Sequence, residues 1–200
     1  MELSIIRNLR TTKVQRTTLD KIVQMMRTST LLKQYTERAR LFYSAGRKGK
    51  VEHIKTTLLP AFAPAGYLMD GKGRKNLIGL TGICFIDIDH IDGAMVEKCM
   101  QLLQKDVNVL MASRSISGRG IHILVPYTFR RDDPFPPLPC DPVRLNKLYG
   151  QVFGVIAAHY RQLLGVQIDE AVKNTERLCL VSYDADTLYN PQAQPIEIQY

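Results

Sequence analysis

The sequence predicts an α+β domain in which helices pack on a mixed or antiparallel sheet. Strand-like and helix-like stretches alternate loosely along its 200 residues, and a hydrophobic fraction of 45% is ordinary for a globular protein. Two strand-like stretches, residues 107–112 and 120–127, are close enough in the chain to form an antiparallel pair. A chain of this length suits one domain, so we expect an N-terminal αβ, mainly helical section at 1–50 and the main core at 51–200.

The N-terminal section is predicted to start with a short strand at residues 3–6. A helix should follow, because Thr17 or Thr18 can cap it and apolar residues recur on one face after them. A second helix is predicted over residues 30–45. The inward face predicted for this second helix consists of Leu31, Tyr35, Ala39 and Phe42.

Two basic, glycine-interrupted turns are predicted at residues 47–50 and 72–75. Between them, residues 58–66 are apolar enough to be buried, but their prolines argue against a regular element. A solvated loop is the plain alternative for the first turn. Cationic loops suit a phosphate-bearing partner. The residues expected to bind nucleic acid are Arg47, Lys48, Lys50, Lys72, Arg74 and Lys75.

The most informative stretch is an apolar run, residues 81–88, that leads into a pair of acids. In a strand, residues i and i+2 point to the same face, so Asp87 and Asp89 would project together while Ile86 and Ile88 face the core. Two carboxylates on one face repel each other unless a cation lies between them, and a divalent cation is the usual solution. A strand that runs out into a polar turn is the alternative.

The remaining elements follow from hydrophobic periodicity and turn residues. We predict a helix at 93–106, strands at 107–112 and 120–127, a proline-rich loop at 128–142, a helix at 143–164, and strands at 177–182 and 196–199. The face predicted to be apolar in the long helix consists of Leu148, Val152, Val155, Ile156, His159 and Leu163.

A small loop between the two central strands could bind an anion. Gly118 and Gly120 would let backbone N–H groups approach it closely. Ser117 adds a hydroxyl donor and Arg119 a positive charge, and His122 lies in the next strand. Although a lone histidine on an apolar strand is more often a core residue, its combination with this loop after the acid pair indicates a phosphate site.

Asp169 is a candidate third carboxylate, because it follows another short apolar element. Three acids could hold two metals, which clamp the attacking and leaving oxygens of a phosphoryl transfer. The local alternative for Asp169 is a helix N-cap, and Asp184 and Asp186 are competing acids that resemble turn residues. Arg177, eight residues after Asp169, could neutralise triphosphate charge.

The overall charge and the cysteine pattern narrow the possible partners. Twenty-seven Lys and Arg against nineteen Asp and Glu give a net charge of +8, which favours nucleic acid first and an anionic membrane surface second. Cys84, Cys99, Cys140 and Cys179 form no C-x-x-C pair, so we expect buried thiols in a reducing compartment and no zinc. No apolar stretch approaches the roughly 20 residues of a membrane span, so we expect a cytoplasmic protein without membrane association. The strand-like end of the sequence suggests that it belongs to a longer chain.

Three motifs, in this order, resemble those of the archaeo-eukaryotic primase (primase–polymerase) superfamily. They are FIDID at 85–89, SGRGIH at 117–122 and ID at 168–169. The wider pattern resembles the VirE N-terminal domain family of Bacteroides-type bacteria and mobile elements. That pattern adds LPAF at 59–62 and RLCLVSYD at 177–184, followed by NP, and the resemblance covers about residues 50–190.

The resemblance implies an RRM-like sheet with an additional N-terminal αβ unit. It implies that Asp87, Asp89 and Asp169 bind Mg²⁺ or Mn²⁺ and that His122, with Ser117 close by, contacts the phosphates of an incoming nucleotide. The expected activity is nucleotidyl transfer in DNA replication, with a mobile element as one setting that the resemblance implies. The expected partners are single-stranded or template DNA, NTP or dNTP, and a helicase-like region of the same longer chain. The zinc-binding cysteines of many primases are missing, which weakens the case for independent priming.

Three other functions compete with this expectation. A non-catalytic nucleic-acid-binding module could keep the same fold, although the chain has no Trp and its strands offer few aromatic pairs for base stacking. A rolling-circle nicking enzyme would need a second histidine near His122, where Ile123 and Leu124 follow instead. A sugar-nucleotide transferase could use the acid pair, but the basic charge and the 117–122 loop do not favour it.

Overall fold

The computed structural model describes residues 1–130 and 141–199. These residues contain five α-helices: α1 (Leu19–Thr28), α2 (Thr30–Ser44), α3 (Lys48–His53), α4 (Gly93–Leu103) and α5 (Pro142–Leu164). A π-helical turn, Ile54–Leu58, continues α3, and short 3₁₀ turns lie at Arg74–Asn76 and Glu170–Val172. None of the helices in this part of the chain is long and apolar enough to cross a membrane.

The same residues contain eleven short strands. They are β1 (Glu2–Ile6), β2 (Val14–Thr18), β3 (Ala61–Ala63), β4 (Gly66–Leu68), β5 (Leu77–Leu80), β6 (Ile83–Ile88), β7 (Met111–Arg114), β8 (Ile121–Phe129), β9 (Cys179–Leu180), β10 (Leu188–Tyr189) and β11 (Ile196–Ile198).

The strands form a central sheet, an N-terminal sheet and a small hairpin. In the central sheet the order is β10-β7-β8-β11, and β6 also pairs with β8. The N-terminal sheet has the order β2-β1-β3-β9, and β4 pairs with β5. All pairings are antiparallel except that of β11 with β8. The predicted α+β class with a mixed sheet is therefore confirmed.

The N-terminal sheet shares one hydrophobic core with the central sheet. Leu3 and Phe62 of the N-terminal sheet belong to the same buried cluster as Ile86 and Ile123 of the central sheet. Because β1 pairs directly with β3, residues from both sides of the predicted division at 50/51 form one sheet. The cavity described below is lined by residues of both sheets.

The first two helices meet at a single residue. Thr18 caps α1 by accepting a hydrogen bond from the Lys21 N–H, as predicted. Ser29 ends α1, where its N–H donates to the Met25 carbonyl, and it also starts α2, where its hydroxyl accepts from the Leu32 N–H.

The inward faces predicted for two helices are partly wrong. In α2 the buried residues are Leu32, Thr36 and Ala39, whereas Leu31 is 53% exposed. In α5 three predicted positions, Val155, His159 and Leu163, are exposed. Apolar residues occupy two adjacent faces of α5. The face with the large aromatic rings is the one that packs into the core, because its burial removes more apolar area from water. The rings buried on that face are those of Tyr149, Phe153 and Tyr160.

Several other predicted elements need correction. Residues 58–66 contain β3 and the first residue of β4. A strand is possible here because Pro60 and Pro64 flank β3 and so remove no N–H from its pairing. The basic turn at 47–50 is mostly the start of α3, since Gly46 (φ 69°) reverses the chain and a new helix begins.

Two predicted strands are shorter than expected. The strand predicted at 107–112 starts only at Met111, because Asp106 first forms a turn in which its carboxylate accepts the Asn108 N–H. The strand predicted at 177–182 is only two residues long, since its partner β3 is itself short. Of the loop predicted at 128–142, residues 128 and 129 belong to β8, and residues 131–140 lie outside the described part of the chain.

Candidate metal site and its cavity

Three carboxylates converge at the end of β6. One oxygen each of Asp87, Asp89 and Asp169 lies within 4.8 Å of the others. Asp87 and Asp89 line the same cavity, and the intervening Ile88 and the preceding Ile86 are buried on the other face. The predicted alternation along this strand is therefore confirmed.

Asp169 reaches the pair because its segment follows the free edge of β6. Helix α5 ends at Gly165, whose left-handed conformation (φ 67°) turns the chain back toward the sheet. The Asp169 N–H then donates to the Asp87 carbonyl at 2.9 Å. Asp169 also caps the following 3₁₀ turn by accepting the Ala171 N–H at 2.8 Å. Asp169 therefore has both of the roles that the sequence offered as alternatives, the N-cap and the third carboxylate of the cluster.

Asp87 is in an environment that disfavours its negative charge. It is 8% exposed, and no described donor forms a hydrogen bond with its Oδ1. Burial raises the pKa of the Asp87 carboxyl, and although His122 and Arg177 lower it, Asp89 and Asp169 raise it further. A buried, under-bonded carboxylate beside two other acids fits a divalent cation, which would supply the missing positive charge. The residues present are therefore suited to a metal.

His122 lies directly opposite Asp87 in the pairing of β6 with β8. Its Nε2 is 3.6 Å from Asp87 Oδ1, and its Nδ1 is 3.4 Å from the sulfur of Cys179 on β9. The Phe85 ring packs edge-on against the imidazole with 5.7 Å between ring centroids. Both ring nitrogens therefore face protein groups, and the phosphate contact that the resemblance implies stays a prediction.

Cys84, Cys99 and Cys179 are buried, as predicted, and Cys140 lies outside the described residues. Burial, followed by the nearby Asp87 charge, raises the pKa of the Cys179 thiol well above its ordinary value. Cys179 therefore keeps its proton as a thiol, and its contact with His122 is a hydrogen bond.

The glycine loop packs tightly against the end of β6. A Cβ at Gly120 would collide with the Ile88 carbonyl oxygen and lie 2.9 Å from Asp89 Oδ1. The Ser115 N–H donates to the Gly120 carbonyl at 2.8 Å, and the Ile91 N–H donates to the Arg119 carbonyl at 3.1 Å. Gly120 is needed because the two backbones approach so closely, and the loop in turn fixes the position of Asp89.

A cavity of about 550 Å³ opens in front of Asp87 and Asp89. Of the residues predicted to bind a nucleotide, Ser117 and His122 line it, whereas the Arg119 side chain is exposed and a Cβ added at Gly118 would lie 3.4 Å from Arg40 Nε. Arg177 lines the same cavity. The other polar groups around it are Lys55, Ser115, Asn174 and Glu176.

Lys55 also lines the cavity, although no sequence pattern predicts it as a site residue. It reaches the cavity from the π-helical turn Ile54–Leu58, which holds one extra residue per turn compared with an α-helix. Nothing in the residues around it distinguishes Lys55 from a surface lysine, so only the three-dimensional structure reveals it.

Comparison with family models identifies the family of this domain. The family model described as "BT4734-like, N-terminal domain" covers residues 53–189. The chain belongs to this family. The family is consistent with the resemblance to the VirE N-terminal domain, and the matched segment contains all three carboxylates. Searches of curated proteins and of solved structures gave no match.

The basic residues predicted to bind nucleic acid have different surroundings in this BT4734-like domain. Lys72 donates to the Leu9 carbonyl, and Arg74 forms an ion pair with Glu176 at 3.1 Å. Lys75 is exposed in the same turn. The remaining three residues, Arg47, Lys48 and Lys50, are exposed at the start of α3.

The competing acids of the BT4734-like domain have another partner. Asp184 is buried and accepts hydrogen bonds from the Arg114 N–H and guanidinium, at 2.7 and 3.1 Å. Asp186 is 3.5 Å from the same guanidinium. Both acids therefore stabilise the end of β7, and neither belongs to the carboxylate cluster.

Proposed function

We propose that this domain is a metal-dependent nucleotidyltransferase of primase–polymerase type that acts in DNA replication. The observation that carries the proposal is the convergence of Asp87, Asp89 and Asp169, because the first two of these acids line a cavity that Lys55 and Arg177 also line. The three carboxylates would hold Mg²⁺ or Mn²⁺, at one or two positions. Such ions, when bound, lower the pKa of an attacking hydroxyl and stabilise a pyrophosphate leaving group.

The topology supports an RRM-like core for this enzyme. The order β6-α4-β7-β8-α5 places two helices after the first and third strands, and β8 pairs with both β6 and β7. Only β6, β7 and β8 support the RRM-like order. The other two strands, β10 and β11, extend the sheet by pairing with β7 and β8.

The cations of the cavity suit the phosphates of a nucleoside triphosphate. Lys55 and Arg177 would attract the phosphate groups, and the hydroxyls of Ser115 and Ser117, 3.0 Å apart, are donors in the same cavity. Acids on one side of a bound triphosphate and cations on another would orient its α-phosphate toward the metal site. An acceptor hydroxyl would attack that phosphate, and pyrophosphate would leave.

Lys55→Met and Arg177→Met are each expected to weaken nucleoside triphosphate binding about 10- to 100-fold, because each removes a charge-assisted hydrogen bond. Binding of the monophosphate should change much less. The measurement is equilibrium binding of ATP, dATP and AMP in the presence of Mn²⁺, with the exposed Lys105→Met as the matched control. Equal losses for ATP and AMP, or an equal loss in the control, would contradict a triphosphate role.

A basic surface on α2 and α3 supports nucleic acid as the second partner. Residues 38–50 contain five Lys or Arg and no Asp or Glu. Two of these cations lie over the Phe42 ring, with Arg38 at 5.5 Å and Lys50 at 5.1 Å from its centroid. None of the five cations forms an ion pair with an acid among the described residues.

This α2–α3 surface, defined as residues 38–50, is continuous with the cavity. Arg40 donates to the carbonyl of Ile116, a cavity-lining residue, at 3.3 Å. Unpaired cations beside an aromatic ring are typical of single-strand binding. The surface also favours the second candidate function, a non-catalytic nucleic-acid-binding module, which would bind DNA equally well without a metal.

Replacing Arg47, Lys48 and Lys50 together by glutamine is expected to reduce the salt dependence of single-stranded DNA binding. Each lost phosphate contact should lower the slope of log K against log salt by about 0.7, so the triple variant should lose about 2. Fluorescence anisotropy across a salt series measures the slope. The control replaces three exposed lysines elsewhere, Lys21, Lys98 and Lys105. The surface is wrongly assigned if both triple variants change the slope equally.

A further inference from the structure

The imidazole of His122 is held between two side chains from different strands. Its Nδ1 faces the Cys179 sulfur at 3.4 Å, and its Nε2 faces Asp87 Oδ1 at 3.6 Å. We propose that Cys179 and His122 are positioning residues that orient Asp87 as a metal ligand, with the thiol donating to Nδ1 and Nε2–H directed at the carboxylate. This inference rests on the proposed function in one respect, that Asp87 binds a metal.

The strand pairing fixes the three residues relative to one another. Asp87 and His122 are register partners in β6 and β8, so their side chains project from the same face of the central sheet. Cys179 comes from β9, which pairs with β3 in the N-terminal sheet. The contact between Cys179 and His122 thus joins the two sheets next to Asp87 of the carboxylate cluster.

The tautomer of His122 follows from its partners. The single proton of the Cys179 thiol has two acceptors in reach, His122 Nδ1 at 3.4 Å and the Leu180 carbonyl at 3.7 Å, and we assign it to the nearer Nδ1. With Nδ1 as the acceptor, the ring N–H is on Nε2. That N–H points toward Asp87 Oδ1, the oxygen that has no other hydrogen-bond partner in the described structure. The distance of 3.6 Å between these two atoms is longer than a hydrogen bond, so in this structure their interaction is an electrostatic contact.

A positioning role for His122 affects metal affinity, whereas a phosphate contact affects nucleotide affinity. Groups that orient metal ligands typically contribute 10- to 100-fold to metal affinity. If His122 positions Asp87, its loss weakens Mn²⁺ binding even when no nucleotide is present. If His122 instead contacts phosphate, its loss weakens only nucleotide binding. His122 is 8% exposed, and neither of its nitrogens faces away from protein groups, which favours the positioning role.

The test compares two pairs of variants of the whole chain. His122→Ala removes the N–H, and His122→Gln keeps an amide N–H at a similar reach. Cys179→Ala removes the thiol donor, and Cys179→Ser keeps a hydroxyl donor. Isothermal titration with Mn²⁺ alone measures metal affinity, and ¹⁵N NMR of the metal-free protein reports the His122 tautomer.

We expect His122→Ala to lose 10- to 100-fold in Mn²⁺ affinity and His122→Gln to recover part of it. Cys179→Ala should show a mixture of tautomers and a several-fold loss, and Cys179→Ser should restore both properties. If His122→Ala does not fold, the Cys179 pair and the tautomer of the wild-type protein carry the test.

Unchanged Mn²⁺ affinity in His122→Ala, together with weaker triphosphate binding, would overturn the inference in favour of a phosphate contact. A wild-type ring protonated on Nδ1 would overturn it whether or not a metal binds. The proposed function fails separately, if Mn²⁺ binds neither the wild-type protein nor any variant. In that case His122 and Cys179 do not orient a metal ligand. An Nε2–H tautomer would then show only that the contacts among Cys179, His122 and Asp87 are structural.

Discussion

Asp89→Asn is expected to lower the affinity of the domain for Mn²⁺ by at least about 100-fold, because even residues that merely orient a metal ligand contribute 10- to 100-fold. The substitution keeps the shape of the side chain and removes its charge. Since Asp89 is exposed, the free energy of unfolding in the absence of metal should change little. Isothermal titration measures the affinity, and thermal unfolding checks the fold.

The same variant should lose the stabilisation that metal and nucleotide give together. For the wild-type protein, a ligand at 100 times its Kd raises the free energy of unfolding by about 2.7 kcal/mol. The matched control is Asp186→Asn, which removes an exposed acid that contacts Arg114 outside the cluster. Equal Mn²⁺ affinity in wild type and Asp89→Asn would contradict the assignment of this residue as a ligand.

Gly120→Ala is expected to lower the free energy of unfolding by at least about 3 kcal/mol, the upper end of the usual cost of overpacking. The added methyl group would collide with the Ile88 carbonyl, which belongs to the backbone and cannot move aside as a flexible side chain could. The melting temperature of a chain of this length should fall by roughly 6–12 °C. Calorimetry or circular dichroism would measure both quantities.

The control for this prediction is the same substitution in an open environment. Gly154 lies on the exposed side of α5, with no atom within 4 Å of an added Cβ. Gly154→Ala should therefore stabilise the protein by about 0.5–1 kcal/mol, because alanine favours the helix. If Gly120→Ala is as stable as Gly154→Ala, the close approach of the glycine loop to β6 is wrong.

Local patterns in the sequence predict much of the fold. The alternation around Asp87 and Asp89 predicts β6 and the common direction of the two acids, because a strand has a strict two-residue period. The cap at Thr18 is equally local. The inward face predicted for α2 starts one residue too early, since Leu31 and Leu32 fit an apolar stripe equally well and only the packing of Leu32 into the core decides between them.

Contacts between distant parts of the chain could not be predicted in the same way. The position of Cys179 beside His122 depends on the N-terminal sheet, whose strands β3 and β9 are separated by more than a hundred residues. Lys55 enters the cavity through a π-helical turn that has no sequence signature. Arg74, which was predicted to bind nucleic acid, forms an ion pair with Glu176. The two residues are about a hundred positions apart in the chain, so no local pattern predicts this ion pair.

Formation of a phosphodiester product tests the central proposal most directly. The wild-type chain and Asp89→Asn would be incubated with Mn²⁺, single-stranded or primed template, and labelled NTPs or dNTPs, and the products separated by length. The proposal predicts template-dependent products with the wild-type protein, none without Mn²⁺ and none with Asp89→Asn. DNA binding without any product under all these conditions, unchanged by the variant, would contradict nucleotidyl transfer and favour the non-catalytic nucleic-acid-binding module.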